Sequence, residues 1–553
     1  MYSSKENIGI LTSLLVEYGI REAVVCPGSR NAPIIHNLDE CPFIKCYPVT
    51  DERSAAFVAL GMAQANDRPV VVCVTSGTAL LNTAPAVAEA TYQHHGIIVI
   101  SADRPAAWIG QGAGQTMPQP GALGSFVGKC VNIPEPHTEE DRWHINRLVN
   151  EALTETHKRH RPSVHINVPL SEPLFVYEKK ELLPERMIEY FQLEYCEIEP
   201  CFDDFMEAKR PMIVIGQMDE VTSEFALPPL TALSERAVIV HEALSGYSEA
   251  GGLDIILKAI EDDKVEDKYL PDFALVLGGD IVSKRLKKML SKVPTLWRVS
   301  RDGAICDTFQ NLSGVLEGHE NKVLYLLLRL YNYEKPSAPK GLAKFIKLWN
   351  DAIKSAKIHT EGHEPAYSQT AAVLAFEEQY YDSDFAPHIH YANSSAIRLA
   401  NMFAHHFVWC NRGINGIEGS VSTAVGYAMA VPMDEPVVLV TGDLSFFYDS
   451  NALWNDNVPD NFSVLLLNNG EGGIFRQVEG FGDNPMAQGE HDANARGICL
   501  QNGVKYIAVH NAEELRKNIR YLGHCNGPLV VEVFTNAETD KKEFDKIFND
   551  FIL

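Results

Sequence analysis

Short, unbroken apolar runs recur along the chain, each closing on small or polar residues and each followed by a stretch of helical spacing. Pro69–Thr75 reads PVVVCVT, Gly96–Ser101 reads GIIVIS and Val164–Val168 reads VHINV. A strand with one wet face alternates apolar and polar residues. A run that is apolar throughout is buried on both faces, and the intervening helices supply the cover. The pattern predicts an α/β chain of doubly wound parallel sheets. Val24–Cys26 closes one such run at CPGS, and Arg53–Asn66 has helical spacing. A second series comprises Met212–Ile215, Ala237–His241, Phe273–Gly279 and Leu296–Val299. A third comprises Ile389–Ala392, Phe407–Cys410, Val437–Thr441, Val464–Asn468 and Leu529–Phe534.

Two interruptions divide the 553 residues: a charged stretch beginning at Tyr177, and the Pro/Lys-rich segment Tyr333–Gly341. The predicted organisation is a first domain at 1–180, a linker at 181–195, a central domain at 196–340 and a last domain at 341–553. VTSGTA at Val74–Ala79 and VTGDLS at Val440–Ser445 are similar strand-to-helix turns, a hint that the first and last domains share a fold.

Charge narrows the function. With 48 basic and 73 acidic residues the formal charge is −25, which argues against general nucleic-acid binding. Anionic small substrates stay open, because a local Arg cluster inverts the field inside one pocket. The cysteines number 11, an odd count with no C-x-x-C spacing, so reduced thiols in a cytoplasmic protein are expected. The N-terminal MYSSKENIGILTSLLVEYG reads as an amphipathic helix with Glu inside it, unlike a signal peptide. No uncharged apolar stretch reaches the roughly 18 residues of a membrane span.

Chemistry concentrates where the third series of runs ends. GDLS at Gly442–Ser445 is followed, 26 positions from Asp443, by the second Asn of NN at Asn468–Asn469. Taken singly these are ordinary turn sequences. At this spacing, each after a β-run, Asp443 and Asn469 come side by side at the lip of a sheet. There a carboxylate, an amide oxygen and a backbone carbonyl suit a hard cation such as Mg²⁺, with positions left for phosphate oxygens.

This pair resembles the G-D-G…N-N motif of thiamine-diphosphate enzymes, with Leu444 standing at the motif's third position. The resemblance implies Asp443, Asn469 and the main-chain carbonyl of Glu471 as ligands of Mg²⁺ or Mn²⁺, with Leu444 and Ser445 beside the diphosphate. It also implies a catalytic Glu at the aminopyrimidine ring, where a carboxyl shares a proton with a ring nitrogen. Glu52, in YPVTDERSAAF, stands at the matching strand-to-helix junction; alone it would read as a helix-start Glu favoured by the dipole. Because the two motifs fall in the first and last domains, the resemblance implies active sites built between two subunits, in a homodimer or dimer of dimers.

CPGSRNAP (Cys26–Pro33), SADRP (Ser101–Pro105), SKRL (Ser283–Leu286), NSSAIR (Asn393–Arg398), NRGINGIEG (Asn411–Gly419) and GDLSFFYD (Gly442–Asp449) follow in order. Together they resemble the 2-succinyl-5-enolpyruvyl-6-hydroxy-3-cyclohexene-1-carboxylate synthase family of menaquinone biosynthesis, from about residue 5 to 535. In that family Leu at the third motif position is normal. The resemblance implies a transferase that decarboxylates 2-oxoglutarate and adds the succinyl nucleophile to the conjugated alkene of isochorismate. Both substrates are dicarboxylates, and Arg matches a carboxylate bidentately.

Substrate-site cations implied by the resemblance are Arg30, Arg104, Lys284, Arg285, Arg398 and Arg412. Lys284 and Arg285 would bring the central domain into the pocket, although Lys287 and Lys288 beside them also fit a solvated basic face. Ser29 and Gln115 match polar substrate contacts, and Ser394 a contact near the diphosphate. Ile417, after Gly416, matches the apolar residue that props the cofactor in its bent form. Ile474 and Phe475 match an apolar wall beside the thiazolium, or are simply core. One departure is Gly114, where family members often carry Asn. Two other readings fit the same fold: another thiamine-dependent 2-oxoacid decarboxylase or carboligase, and a non-catalytic ligand-binding homologue.

Overall fold

The computed structural model describes residues 1–191, 198–246, 252–334, 338–381, 387–477 and 485–553. Three sheets carry the chain. The first contains β1 (Glu22–Val25), β2 (Lys45–Pro48), β3 (Val71–Val74), β4 (Ile98–Asp103), β5 (Lys129–Asn132) and β6 (Val164–Pro169). The second contains β7 (Pro211–Ile215), β8 (Val238–His241), β9 (Phe273–Leu277), β10 (Thr295–Ser300) and β11 (Leu312–Glu317). The third contains β12 (His388–Tyr391), β13 (Val408–Trp409), β14 (Val437–Gly442), β15 (Phe462–Asn468), β16 (Lys505–Val509) and β17 (Leu529–Phe534). Strand pairing within all three is parallel, as the unbroken apolar runs predict.

The first sheet runs β2-β1-β3-β4-β6-β5 and the third β13-β12-β14-β15-β17-β16. Counted from each domain's own first strand the two orders are identical, so the likeness of VTSGTA to VTGDLS reflects a shared topology. The middle sheet, β11-β10-β9-β7-β8, has the five-stranded doubly wound order. Interior strands β3, β4, β9 and β15 are buried at every position.

The predicted strands all appear. Four others do not stand out in the sequence: β2, β5, β11 and β16. Each lies at a sheet edge and mixes buried with exposed positions. Edge strands face water along one side, so their sequences lack the continuous apolar run.

First and last domains meet through two helices. Asp51 caps the helix Glu52–Asn66, its carboxylate accepting the Ser54 N–H at 2.9 Å, which fixes Glu52 as the first helical residue. This helix lies against the helix Ser420–Ala430 of the same chain, at a distance only glycine permits. A Cβ on Gly61 would stand 1.9 Å from the Thr423 carbonyl, and one on Gly426 would stand 2.1 Å from that of Val58. Arg53 Nη2 donates to the Tyr448 carbonyl at 2.7 Å, and Asn451 Nδ2 to the Asp51 carboxylate at 2.7 Å.

Of the predicted linker, 192–195 lie outside the described residues. The part before them is tied to the first domain: the Leu183 carbonyl accepts from Ser13 Oγ and that of Ile188 from the Tyr18 hydroxyl. The helix Leu342–Glu361 packs on the middle domain, where the buried Trp349 donates its indole N–H to the Tyr269 carbonyl at 3.0 Å. Among the described residues, no helix is long and apolar enough to cross a membrane.

Candidate active site

In doubly wound sheets ligands bind beyond the carboxyl ends of the strands, where the strand order reverses. In the first sheet that point lies between β1 and β3. Ser29 and Arg30 follow β1, Glu52 follows β2, the Gly77 turn follows β3 and Arg104 follows β4. The loops after β1 and β3 touch: a Cβ on Gly28 would lie 2.5 Å from Thr75 Cβ. Glu52 is half-buried and accepts from Asn82 Nδ2 at 3.4 Å. Ser29 and Gln115 are exposed. Arg104 Nε donates to the Gly114 carbonyl at 3.2 Å, folding the Gly114–Gln115 turn back towards β4. Arg30 is buried, with Nη1 on the Leu170 carbonyl at 3.1 Å and Nη2 on Glu172 at 3.0 Å.

The equivalent edge of the third sheet gathers Ser394 after β12, Arg412 after β13, Asp443 after β14 and Asn469 after β15. Ser394 holds a φ of +75°, a strained backbone for a residue with a side chain. The Asp443 carboxylate accepts N–H groups from Leu444 at 2.7 Å, Asn469 at 3.1 Å and Gly470 at 2.9 Å. The 26-residue separation thus brings Asp443 and Asn469 together. Burial pushes the Asp443 carboxyl up to about 6, against the pull of those N–H donors and of His491.

The donors fit a divalent cation. Asn469 spends its Nδ2 on Asp540 at 3.0 Å, which turns Oδ1 away from that partner. The Glu471 carboxylate is taken by Arg476, with Nη2 to Oε2 at 2.8 Å, while its main-chain carbonyl accepts the Gly473 N–H at 3.0 Å and keeps a second lone pair to offer. His491 Nε2, 3.6 Å from Asp443, is buried with no hydrogen-bond partner, an orphan that a phosphate oxygen would satisfy. Hard oxygen donors around a buried carboxylate suit Mg²⁺ or Mn²⁺ carrying a diphosphate.

Around this lip the loop 411–419 is pinned by its neighbours. Ser445 Oγ donates to the Ile417 carbonyl at 2.6 Å, and Asn393 Nδ2 to those of Asn411 and Gly416 at 2.6 and 2.7 Å. The Ile417 side chain is 42% exposed, available for an outside contact. Phe475 covers the turn after Asn469, since a Cβ on Gly472 would lie 2.9 Å from its ring.

A cavity of about 510 Å³ opens between the middle and last domains, lined by Lys284, Arg285, Arg398 and Ile474 among others. It sorts the sequence-predicted cations. Arg285 is paired with Asp254 at 2.7 Å. Arg412 is engaged through all three nitrogens: its Nε and Nη2 are on Asp280, and its Nη1 is on Asn393 Oδ1 at 3.2 Å. Lys284 and Arg398 have no ion-pair partner among the described residues. Burial pulls the Arg398 pKa below its ordinary value, opposed by Asp254 and reinforced by Arg412 and Arg285. A half-buried guanidinium with carboxylates nearby but, among the described residues, none in direct contact has N–H groups left over, and a substrate carboxylate is a group that would take them.

Comparison with known proteins agrees with the geometry. Residues 9–122 match the model of the thiamine pyrophosphate enzyme N-terminal TPP binding domain, and residues 394–533 that of the C-terminal TPP binding domain. A 2-succinyl-5-enolpyruvyl-6-hydroxy-3-cyclohexene-1-carboxylate synthase from Bacteroides thetaiotaomicron is 40% identical over 98% of both chains. The chain belongs to this synthase family. The synthase from Porphyromonas gingivalis is 35% identical over 99% of this chain and 98% of its own, and that from Flavobacterium psychrophilum 33% over 94% of each. The first matched segment contains Ser29, Arg30, Glu52, Arg104 and Gln115; the second contains Ser394 through Phe475.

Several residues around this synthase-family site were not legible in the motifs: Glu89, Asp254, Asp280, His491 and Asp540. Each acts on a motif residue or its backbone through an ion pair, a hydrogen bond or a close approach. Nothing in their local sequence marks them: Glu89, Asp254 and Asp540 read first as acidic residues on solvated helix faces, and Asp280 and His491 as ordinary loop residues.

Proposed function

We propose that this chain joins 2-oxoglutarate to isochorismate with loss of carbon dioxide, giving 2-succinyl-5-enolpyruvyl-6-hydroxy-3-cyclohexene-1-carboxylate for menaquinone biosynthesis. Asp443, Asn469 and the Glu471 carbonyl would hold the divalent cation. Leu444, Ser445, Ser394 and Gly416 would border the diphosphate. When bound, thiamine diphosphate supplies the reactive carbon and the electron sink for the decarboxylation. Glu52 holds a proton at the aminopyrimidine ring. Ile417 supports the bent form, and Ile474 and Phe475 keep water from the reacting face. Ser29, Arg30, Arg104 and Gln115 receive polar groups of the substrates.

The observation that carries this reading is the cavity between the middle and last domains, which holds Lys284 and Arg398, two cations with no ion-pair partner among the described residues. The half-buried Arg398 and the exposed Lys284 give this one cavity two positive charges to receive the carboxylates of a dicarboxylate. A carboligase for pyruvate or a branched-chain 2-oxoacid has an apolar acyl group and leaves one of them without a counter-ion. The test is a substrate screen with thiamine diphosphate and Mg²⁺. Joint consumption of 2-oxoglutarate and isochorismate supports the proposal, and a preference for pyruvate contradicts it. Arg398→Ala is expected to raise the KM for 2-oxoglutarate or isochorismate at least about tenfold, with a smaller change in kcat. Unchanged KM values for both would remove Arg398 from the substrate set.

The proposal extends to the assembly. Glu52 is half-buried, while Ile417 at 42% exposure leaves apolar surface on the loop 411–419. A homodimer, or a dimer of dimers, would bring Glu52 of one protomer to the last domain of its partner. The domain limits 1–180, 196–340 and 341–553 and a cytoplasmic location belong to the same reading.

A further inference from the structure

Glu89 lies on the helix Ala84–Tyr92 of the first domain and is 2% exposed. Its carboxylate faces the last domain of the same chain. Oε1 accepts the Gly413 N–H at 2.7 Å and Oε2 accepts that of Ile414 at 2.7 Å. Gln93, one turn on, donates Nε2 to Glu89 Oε1 and reaches Asn411 Oδ1 at 3.4 Å. Gln64 holds Gln93 in turn, Nε2 to Oε1 at 2.8 Å. The approach is close enough that a Cβ on Gly413 would stand 2.8 Å from the Glu89 carbonyl and 3.0 Å from Tyr92 Cβ.

Glu89 therefore grips the middle of loop 411–419. Arg412 precedes the gripped residues, and Gly416 and Ile417 follow them. The middle domain holds the same loop through Asp280 and Arg412, and the last domain through Asn393 and Ser445. All three domains converge on one loop, and Glu89 is the first domain's grip on it. Two parallel backbone N–H groups on one carboxylate make a charge-assisted bidentate contact that an amide cannot reproduce, since its NH₂ would face an N–H.

We propose that Glu89 is a positioning residue which sets the conformation of the cofactor-side loop 411–419 from the first domain of the same chain. The proposal rests on the reading that this loop borders thiamine diphosphate. The first domain then serves two sites: Glu52 reaches the partner's cofactor, while Glu89 shapes the loop of its own last domain.

The test compares the full-length protein with Glu89→Gln and, as a variant that leaves the carboxylate intact, Gly413→Ala. The two readouts are amide hydrogen exchange at 413 and 414, without cofactor, and titration with thiamine diphosphate in Mg²⁺. Both variants are expected to speed exchange at 413–414 and to weaken cofactor binding about tenfold. At saturating cofactor kcat should return to within about threefold of the parent, a split that general unfolding would not produce. Unchanged exchange at 413–414 in both variants, or faster exchange with unchanged cofactor affinity, overturns the proposal. If the unsubstituted protein bound no thiamine diphosphate, the proposed function would fail instead, a result distinct from either.

Discussion

Glu52→Gln is expected to lose most turnover while still binding thiamine diphosphate and Mg²⁺. Gln keeps the size and one acceptor of the side chain but cannot hold or release a proton at the aminopyrimidine ring. Loss of a positioned acid–base group costs about 10²–10⁴ in kcat. Glu52 starts its helix through the Asp51 cap, and its carboxylate takes only a long hydrogen bond from Asn82 at 3.4 Å among the described residues, so removing its charge leaves the local fold intact. The check pairs steady-state kcat with a calorimetric titration of the cofactor. A fully active variant would take Glu52 out of the chemistry. A variant that bound no cofactor would give it a binding role instead.

The second large effect is on stability. Gly61→Val should destabilise the chain by about 3 kcal/mol or more, because a side chain there meets the Thr423 backbone rather than a movable side chain. The two helices must separate, and Glu52, on the displaced helix, moves with them. Gly9 supplies the control. It also lies in a helix, Glu6–Glu17, but nothing stands within 4 Å of its Cβ position. Gly9→Ala should be neutral or gain up to about 1 kcal/mol from helix propensity. Thermal unfolding of the two variants side by side measures the difference. Equal midpoints would show that the helix crossing adapts freely.

Legibility in the sequence followed burial. Interior strands such as β3 and β15 announce themselves because every residue is apolar. The edge strands β2, β5, β11 and β16 do not, because half-wet strands share their composition with loops. The site divides in a similar way. Asp443 and Asn469 were visible as a spaced pair at strand ends, and they meet. The basic residues were visible as motif members, but their pairing state was not. Arg412 and Arg285 already hold Asp280 and Asp254, whereas Lys284 and Arg398 have no ion-pair partner among the described residues. Carboxylates distant in sequence decide that difference: Asp254 is 31 positions from Arg285, and Asp280 is 132 from Arg412. No local window contains such a contact.

The central claim is that each reaction centre takes Glu52 from one protomer and Asp443 and Asn469 from the other. Mixed dimers of two inactive variants, Glu52→Gln and Asp443→Asn, test it most directly. Co-expressed with different tags, half of the randomly formed dimers are mixed, and each mixed dimer carries one intact centre. The account predicts recovery to about a quarter of parent activity. Mixed dimers isolated by both tags yet no more active than either variant alone would contradict it.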